Sequence, residues 1–124
     1  LLGAERERET MEEILNAELP DVLSAGTDNS IPEFQAILGR CDVVVTGDSL
    51  GMHLAIAERR PVMVLFGPTC AQEIELYGRG EKIVSRVSCA PCYRGRCDRR
   101  PNCMESIRPA AVLAAAKRWL PRKR

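Results

Sequence analysis

Two apolar runs that lie close together in the chain constrain the fold most strongly. They are CDVVVTGD (residues 41–48) and PVMVLFG (residues 61–67), and the helix-like segment SLGMHLAIAERR separates them. Both runs are too apolar to leave one face of a strand in water, which is typical of strands buried in a parallel sheet. A strand, a helix and a second strand joined by short links predict a parallel sheet with helices on both faces.

The flanking segments extend this alternation. Helical spacing of apolar residues predicts a helix before Pro20, another before Gly39 and a terminal helix after Pro109. DVLSAG predicts a short strand, EKIVSRV predicts a more polar strand nearer an edge, and PTCAQEIELYG predicts a loop with a short helix. The predicted fold class is therefore α/β, as one Rossmann-like domain over residues 1–124.

The chain has 124 residues and a formal net charge of +1. This length is sufficient for one domain, and the near-neutral charge gives no overall attraction to nucleic acid. No apolar run approaches the roughly 20 residues of a membrane-spanning helix, and LLGAERERET lacks the pattern of a signal peptide. Because the chain opens on residues typical of a strand end, we expect a piece of a longer protein. The basic tail PRKR is expected to be solvated and frayed.

The stretch TGDSLGMHLA contains the only histidine of the chain. Asp48 and Ser49 follow the first apolar strand, where either can cap the next helix and where free N–H groups favour a phosphate. Gly51 permits close approach to the backbone, and His53, one turn into the helix, can donate a hydrogen bond toward the same place. An alternative stays open, because His53 also lies at helical spacing with three apolar residues and could belong to a buried face.

A second loop, in LFGPT, follows the next predicted strand. Gly67 and Pro68 shape a tight turn there, and Thr69 offers a hydroxyl and an N–H group. The carboxyl ends of parallel strands meet at one sheet edge, where open α/β sheets bind their ligands, so the loops at Asp48 and Gly67 are expected to share a ligand. Taken alone, LFGPT is more typical of an ordinary turn from strand to helix.

The acidic stretch EIELYGRG follows this second loop. The carboxylate of Glu73 or Glu75 could accept hydrogen bonds from sugar or ribose hydroxyls. The alternative is a solvated helix face, which we favour for Glu75.

Four of the six cysteines crowd into CAPCYRGRCDRRPNCM with the spacing C-x2-C-x4-C-x5-C; they are Cys89, Cys92, Cys97 and Cys103. Without a sign of secretion, reduced thiols are expected, and a tight cluster suggests a metal before disulfides. Four thiolates at this spacing can form a tetrahedral zinc site, which would be structural because no coordination position stays open. Free thiols, or disulfides in any of three pairings, are the alternatives.

These motifs, in this order, resemble the C-terminal half of glycosyltransferase family 9, the ADP-heptose:lipopolysaccharide heptosyltransferases. The resemblance rests on TGDSLGMHLAIAERRPVMVLFGPT, EIELYGRGEKIV and CAPCYRGRCDRRPNCMESI, and it extends from about Gly3 to Trp119. The family signature is Asp-Ser/Thr-Gly-x-x-His-Leu-Ala, followed by Pro, an apolar strand and Phe/Tyr-Gly-Pro-Thr. One position departs from it: Leu50 stands where the family has glycine, and Gly51 follows, which changes how closely the backbone can approach a diphosphate.

The resemblance implies a GT-B-type enzyme of two Rossmann-like domains, in which this chain is the C-terminal, nucleotide-sugar-binding one. The residues that match the family's two diphosphate loops are Asp48, Ser49, Gly51 and His53 in the first and Gly67, Pro68 and Thr69 in the second. Glu7 matches an acidic position near the ribose, and Asn29 lies in a loop that approaches the base.

The function that the resemblance implies is an inverting transfer of heptose from ADP-heptose to a lipopolysaccharide-type acceptor. No cofactor is required for catalysis, and zinc in the cysteine loop would serve structure alone. The acceptor site and the catalytic base would belong to an N-terminal domain, so no catalytic residue is assigned and this chain alone is expected to be inactive. A cytoplasmic location follows, with peripheral attachment at the inner face of the bacterial inner membrane as a further option.

Two other functions are weighed against this one. CYRGRCDRR interleaves cysteines, arginines and a tyrosine, as zinc knuckles do, so a zinc-stabilised nucleic-acid-binding module is one alternative. The near-neutral charge and the buried α/β core argue against it. A non-catalytic domain that binds a sugar nucleotide is the other.

Overall fold

The computed structural model describes residues 1–121, which form two compact units, Leu1–Ile37 and a second unit that begins at Leu38. Three of the four residues of the PRKR tail, for which a solvated and frayed end is predicted, lie outside the described residues. In the described part of the chain, no helix combines the length and the apolar character needed to cross a membrane.

The first unit contains two helices. Helix α1 (Arg8–Asn16) continues a 3-10 turn over Glu5–Glu7, and α2 spans Ile31–Leu38, so that its last residue begins the second unit. Met11 is buried on α1, as its helical spacing predicts. The helix ends at Asn16 and not at Pro20 as predicted, because the chain turns at Glu18, whose φ is 50°.

The predictions of a strand at the chain start and of a strand in DVLSAG are wrong. The two segments do lie side by side: the amino group of Leu1 donates to the carbonyl oxygen of Leu23 at 2.5 Å, and the N–H of Ala25 donates to the carbonyl oxygen of Leu1 at 2.8 Å. Asp21 and Gly26 have φ values of 63° and 84°, so the chain turns at both ends of the second segment. Too few extended residues are left between these turns for a regular ladder.

The second unit is built on a parallel sheet of three strands in the order β1-β2-β3, which are Val44–Gly47, Val62–Phe66 and Gly80–Val84. Helix α3 (Leu50–Ala57) joins β1 to β2 and packs against both, whereas α4 (Pro109–Trp119) packs against β2 and β3. The predicted α/β character and the parallel sheet are therefore confirmed.

The core of the second unit is centred on β2. Its residues Val62, Met63, Val64 and Phe66 are fully buried, as predicted for a strand with neighbours on both sides. On β1 the prediction holds only in part, because Val45 exposes 49% of its surface. The reason is that β1, like β3, has only one strand neighbour among the described residues.

The link from β2 to β3 contains a single 3-10 turn, Ala71–Glu73, where a short helix was predicted. The side chain of Lys82 on β3 donates hydrogen bonds to the carbonyl oxygens of Ala71, at 2.8 Å, and of Ile74. These carbonyl oxygens would accept N–H groups of the next turn if the helix continued. The lysine therefore takes the place of those helical hydrogen bonds and holds the link against the sheet.

Candidate functional site

The loops after β1 and β2 leave the same edge of the sheet. The parallel register pairs Val44 with Val62 at the start of the strands and Gly47 with Leu65 at their ends. We call residues 48–49 the Asp48 loop and residues 67–69 the Gly67 loop. The two loops therefore begin next to each other at the carboxyl ends of neighbouring strands. This is the edge at which open α/β sheets bind ligands.

Ser49 is the N-cap residue of α3, with φ −152° and ψ 175°. Its side chain makes no capping hydrogen bond, because the Ser49 hydroxyl is instead paired with the hydroxyl of Thr46 at 3.1 Å. Asp48 beside it is exposed. The first N–H groups of a helix have no acceptor within the helix, so the start of α3 presents donors and a partial positive charge at the sheet edge.

His53 lies on the exposed side of α3. Met52 and Ala55 are fully buried against the sheet, whereas Leu50, one turn before the histidine, exposes 54% of its surface. The alternative of a histidine on a buried face is therefore wrong. Gly51, which is half-buried, lies in the same first turn. The imidazole can donate a hydrogen bond to a group seated near the start of the helix.

The Gly67 loop is covered by the Cys-rich segment, which we define as residues 89–104. A Cβ atom on Gly67 would lie 2.6 Å from Sδ of Met104 and 2.8 Å from Sγ of Cys103. The carbonyl oxygen of Pro68 accepts hydrogen bonds from the N–H groups of Cys92, at 3.0 Å, and Tyr93, at 2.8 Å. A methyl group at position 67 would therefore require both of these side chains to shift.

Tyr93 also connects the Cys-rich segment to Glu73. Its hydroxyl donates to Oε1 of Glu73 at 3.1 Å. Partial desolvation raises the pKa of Tyr93, and the carboxylate of Glu73 raises it further. Glu75, by contrast, is exposed, and its side chain accepts a hydrogen bond from the nearby N–H of Tyr77 at 2.7 Å, which agrees with the solvated position favoured for it.

Sequence reasoning missed Tyr93 and Met104 as neighbours of this site. Neither residue lies in a pattern that indicates a distant contact, and Tyr93 is 20 positions away from Glu73. The one available signal was Gly67, since a glycine directly after a buried strand can mark a close approach of another segment.

The four clustered cysteines line one cavity of about 600 Å³; they are Cys89, Cys92, Cys97 and Cys103. None of them forms a disulfide. Within the described residues, no group of three or more His, Cys, Asp or Glu side chains is placed to hold a metal ion. The thiols therefore share a cavity without forming a ligand set, and the zinc site stays a prediction.

The end of the Cys-rich segment is fixed to the sheet by two serines. The hydroxyl of Ser106 lies 2.7 Å from the hydroxyl of Ser85, which is buried just after β3, and it also bonds the carbonyl oxygen of Cys103 at 2.7 Å. The N–H of Ser85 in turn donates to the carbonyl oxygen of Phe66 at 2.8 Å. This chain of bonds joins the segment to the end of β2.

Glu7 and Asn29 belong to the first unit. Both carboxylate oxygens of Glu7 are engaged, by the N–H of Ala4 at 2.6 Å and by Nε of Arg6 at 2.9 Å. The Ala4 N–H, and then Arg6, lower the pKa of Glu7. The side-chain amide of Asn29 donates to the carbonyl oxygen of Ala25 at 2.8 Å. Their roles near a ribose and a base stay predictions.

Comparison with known proteins identifies the family. The sequence profile of glycosyltransferase family 9 (heptosyltransferase) matches residues 1–102. Lipooligosaccharide heptosyltransferase 2 of Campylobacter jejuni serotype O:2 is 31% identical over 83 residues, which are 64% of this chain and 26% of that protein. Lipooligosaccharide heptosyltransferase 2 of Haemophilus influenzae is 38% identical over 78 residues, which are 58% of this chain and 22% of that protein.

The aligned part thus covers about a quarter of the length of these relatives. No solved structure matches the chain significantly. The family profile, in contrast, spans most of the sequence, including the Asp48 loop, the Gly67 loop and all but the last cysteine of the Cys-rich segment. The chain therefore belongs to glycosyltransferase family 9.

Proposed function

We propose that this chain binds the nucleotide-sugar donor of a heptosyltransferase. The observation that carries the proposal is the adjacency of the Asp48 and Gly67 loops at one edge of the parallel sheet, with the start of α3 and the exposed His53 beside them. Phosphate groups are favoured at such a place because helix N–H donors and the helix dipole act together there.

In this proposal the diphosphate of the donor lies against the start of α3. The hydroxyl of Ser49, already paired with Thr46, leaves the first N–H groups of the helix to the phosphate oxygens. His53 donates a further hydrogen bond from one turn into the helix. Thr69 adds a hydroxyl and an N–H group from the Gly67 loop. These donors stabilise negative charge on the leaving diphosphate, so the reaction needs no metal ion on the phosphates.

Glu73 is proposed to accept hydrogen bonds from hydroxyl groups of the donor. Tyr93 engages Oε1 of this carboxylate, so Oε2 is the oxygen that would face a ligand. A carboxylate that already forms one hydrogen bond has fewer orientations to lose when the ligand binds. The loss of conformational entropy on binding is therefore smaller.

The wider proposal concerns the whole protein. The two relatives are named as lipooligosaccharide heptosyltransferases, so ADP-heptose is the donor that we propose and a lipopolysaccharide-type saccharide is the acceptor. The enzyme would have the GT-B arrangement and would act in the cytoplasm by inverting displacement at the anomeric carbon. The catalytic base would come from outside this chain, and the chain alone would bind donor without transferring sugar.

Calorimetric titration of the chain with ADP, UDP, GDP and CDP tests the donor site. We expect ADP to bind best, and we expect His53→Ala to weaken its binding by about tenfold, which corresponds to roughly one charge-assisted hydrogen bond. Asp48→Ala should change the affinity as well, because the carboxylate of Asp48 borders the proposed phosphate position. Asp42→Ala is the matched control, because Asp42 is an exposed aspartate before β1, at its opposite end. If no nucleoside diphosphate binds, or if both site variants bind ADP as tightly as the control, the assignment of the site is wrong.

A further inference from the structure

The link from β2 to β3 carries Glu73, and its own hydrogen bonds hold it only weakly. In the 3-10 turn Ala71–Glu73, the N–H of Glu73 donates to the carbonyl oxygen of Cys70 at 3.3 Å, and the N–H of Ile74 donates to the carbonyl oxygen of Ala71 at 3.4 Å. Both distances exceed the roughly 2.7–3.2 Å that is usual for N–H···O bonds. The turn alone therefore restrains the position of Glu73 poorly.

Lys82 adds a restraint from the sheet. Its ammonium group donates one hydrogen bond to the carbonyl oxygen of Ala71, at 2.8 Å, and another to the carbonyl oxygen of Ile74. Ala71 and Ile74 lie on either side of Glu73 in the chain, so the lysine holds the backbone both before and after the glutamate. Hydrogen bonds from a charged donor are about twice as strong as those between neutral groups.

The position of Lys82 in β3 explains how its side chain reaches the link. It is the central residue of the strand and is paired in register with Val64 of β2. Glu81, the residue before it, contacts α4. Because successive side chains of a strand point to opposite faces, Lys82 projects from the face opposite α4, and the link lies over that face. Lys82 forms no ion pair with any carboxylate in the described part of the chain.

Glu73 is thus held at two points. Lys82 holds its backbone, and the hydroxyl of Tyr93 donates to Oε1 of its carboxylate at 3.1 Å. Only the lysine belongs to a regular strand, because Tyr93 lies in the irregular Cys-rich segment. Lys82 therefore ties the glutamate to the sheet that also carries the Asp48 and Gly67 loops.

We propose that Lys82 is a positioning residue of the donor site. By holding the backbone on both sides of Glu73, it places the carboxylate where it can accept hydrogen bonds from hydroxyl groups of a nucleotide sugar. In this role Lys82 affects the recognition of hydroxyl groups and not the binding of the diphosphate, which depends on the start of α3. The inference rests on the proposed function, because it takes Glu73 as a residue that contacts the donor.

The test is calorimetric titration with inorganic pyrophosphate, which has no sugar, with ADP, which adds a ribose, and with ADP-glucose, which adds a second sugar. We expect Lys82→Met to weaken the binding of ADP and ADP-glucose by about three- to tenfold, as for the loss of one hydrogen bond, and to leave pyrophosphate binding unchanged. Lys82→Arg should restore the affinity, because a guanidinium group can donate to both carbonyl oxygens. Lys117→Met, at an exposed lysine of α4, is the matched control and should bind all three ligands as the unaltered chain does.

The double variant Lys82→Met/Glu73→Gln shows whether the lysine acts through the glutamate. Glu73→Gln alone should weaken the binding of ADP-glucose, and Lys82→Met should then add no further loss. Melting temperatures of the same variants report their stability separately. If Lys82→Met does not fold, Lys82→Gln provides the same comparison, because its shorter amide cannot reach both carbonyl oxygens.

Three results would overturn the inference: unchanged binding of ADP-glucose by Lys82→Met, an equal loss of pyrophosphate binding in that variant, or additive losses in the double variant. The last two would mean that the lysine acts on the fold and not through Glu73. A loss with ADP-glucose but not with ADP would support the inference and place Glu73 at the second sugar. If the unaltered chain binds none of the three ligands, the proposed function fails, whereas normal binding that Lys82→Met leaves unchanged removes this inference alone.

Discussion

Tyr93 and Glu73 lie 20 positions apart in the chain and share a 3.1 Å hydrogen bond from the phenol hydroxyl to Oε1 of the carboxylate. The backbone N–H of the same tyrosine donates to the carbonyl oxygen of Pro68 at 2.8 Å. One residue of the Cys-rich segment therefore contacts both the Gly67 loop and the proposed donor carboxylate. This places the segment next to the site, where it can set the geometry of both.

Tyr93→Phe removes the hydroxyl and keeps the ring. We expect ADP to bind about two- to fivefold more weakly, because Glu73 loses the bond that limits its orientations before the ligand arrives. Tyr77→Phe is the matched control, since Tyr77 exposes 67% of its surface and makes no described side-chain hydrogen bond. Calorimetry with ADP on both variants measures the difference. Equal affinities in the two variants would show that Tyr93 does not position Glu73.

Gly67→Ala tests whether the Cys-rich segment packs on the Gly67 loop. The new methyl group would lie 2.6 Å from Sδ of Met104 and 2.8 Å from Sγ of Cys103. Such overpacking is expected to lower the free energy of unfolding by about 1 kcal/mol, at the low end for overpacking, because both sulfur atoms belong to side chains that can shift. Gly95→Ala should cost little by comparison, because a Cβ atom there meets nothing within 4 Å. Thermal and urea unfolding of both variants measure the effect.

A second substitution decides whether Met104 causes that loss. Met104→Ala removes the atom nearest to the added methyl group, so the double variant Gly67→Ala/Met104→Ala should recover part of the stability that Gly67→Ala loses. The coupling free energy from the double-mutant cycle should be favourable by about 0.5 kcal/mol or more. Purely additive losses would mean that the segment does not contact the glycine in solution.

Periodicity and strand composition were sufficient to predict the centre of the second unit. β2 is buried on both faces, so its apolar run had only one reasonable interpretation, and the glycines and prolines after the strands marked the loops. The prediction was wrong for DVLSAG, because the extended conformation there ends at turns whose positive φ values the sequence did not reveal. The short helix predicted after the Gly67 loop is only the 3-10 turn Ala71–Glu73, because Lys82 from a later strand binds the carbonyl oxygens that a longer helix would use.

Some features of the candidate site could likewise be predicted from the sequence, and others could not. The adjacency of the Asp48 and Gly67 loops follows from strand order, which the sequence indicates well. The exposure of His53 could not be predicted from the sequence, because helical spacing allowed the histidine to lie on either a buried or an exposed face. Only the packing of α3 on the sheet shows that Met52 and Ala55 are the buried residues. The contact of Tyr93 with Glu73 depends on how an irregular segment crosses the sheet edge, and no local pattern encodes that path.

Leu50→Gly tests the position at which this chain departs from its family. Leu50 is the first residue of α3 and exposes 54% of its surface. Without the side chain, a diphosphate can approach the start of the helix more closely, so we expect ADP to bind about two- to tenfold more tightly. The helix should lose about 1 kcal/mol or less.

The control for this change is Leu113→Gly, because Leu113 on α4 has the same exposed fraction of 54%. It should lower the stability without changing the affinity for ADP. An affinity that is unchanged or lower in Leu50→Gly would remove the helix start as the place of the diphosphate.

Metal analysis tests the predicted zinc site in the Cys-rich segment. If the four thiolates bind zinc, protein purified without chelator should contain one zinc per chain, and a chelator should lower its melting temperature. Cys97→Ser should abolish the zinc, whereas Cys70→Ser, outside the cluster, should retain it. A zinc content well below one per chain, with the clustered thiols all open to titration, would leave the free-thiol alternative.

An ion pair that joins α4 to β3 should make the stability depend on pH. Nε and Nη2 of Arg118 donate to the two carboxylate oxygens of Glu81, at 2.9 and 2.5 Å, and Nε1 of Trp119 donates to Oε1 at 3.1 Å. The hydrogen bond from Arg118 and then that from Trp119 hold the pKa of Glu81 below its ordinary value of 4.5. The charged form is therefore favoured in the folded state.

A lowered folded pKa means that the ion pair contributes its full stability above the ordinary carboxyl pKa and loses it as the pH falls through the folded pKa. Glu81→Gln should consequently cost about 1 kcal/mol or less near pH 7, since the pair is partly exposed, and the cost should shrink toward pH 3. Glu13→Gln on α1 is the control, because Glu13 is exposed and has no described partner. Urea unfolding at several pH values measures both variants, and a cost for Glu81→Gln that is constant with pH would contradict the role assigned to this pair.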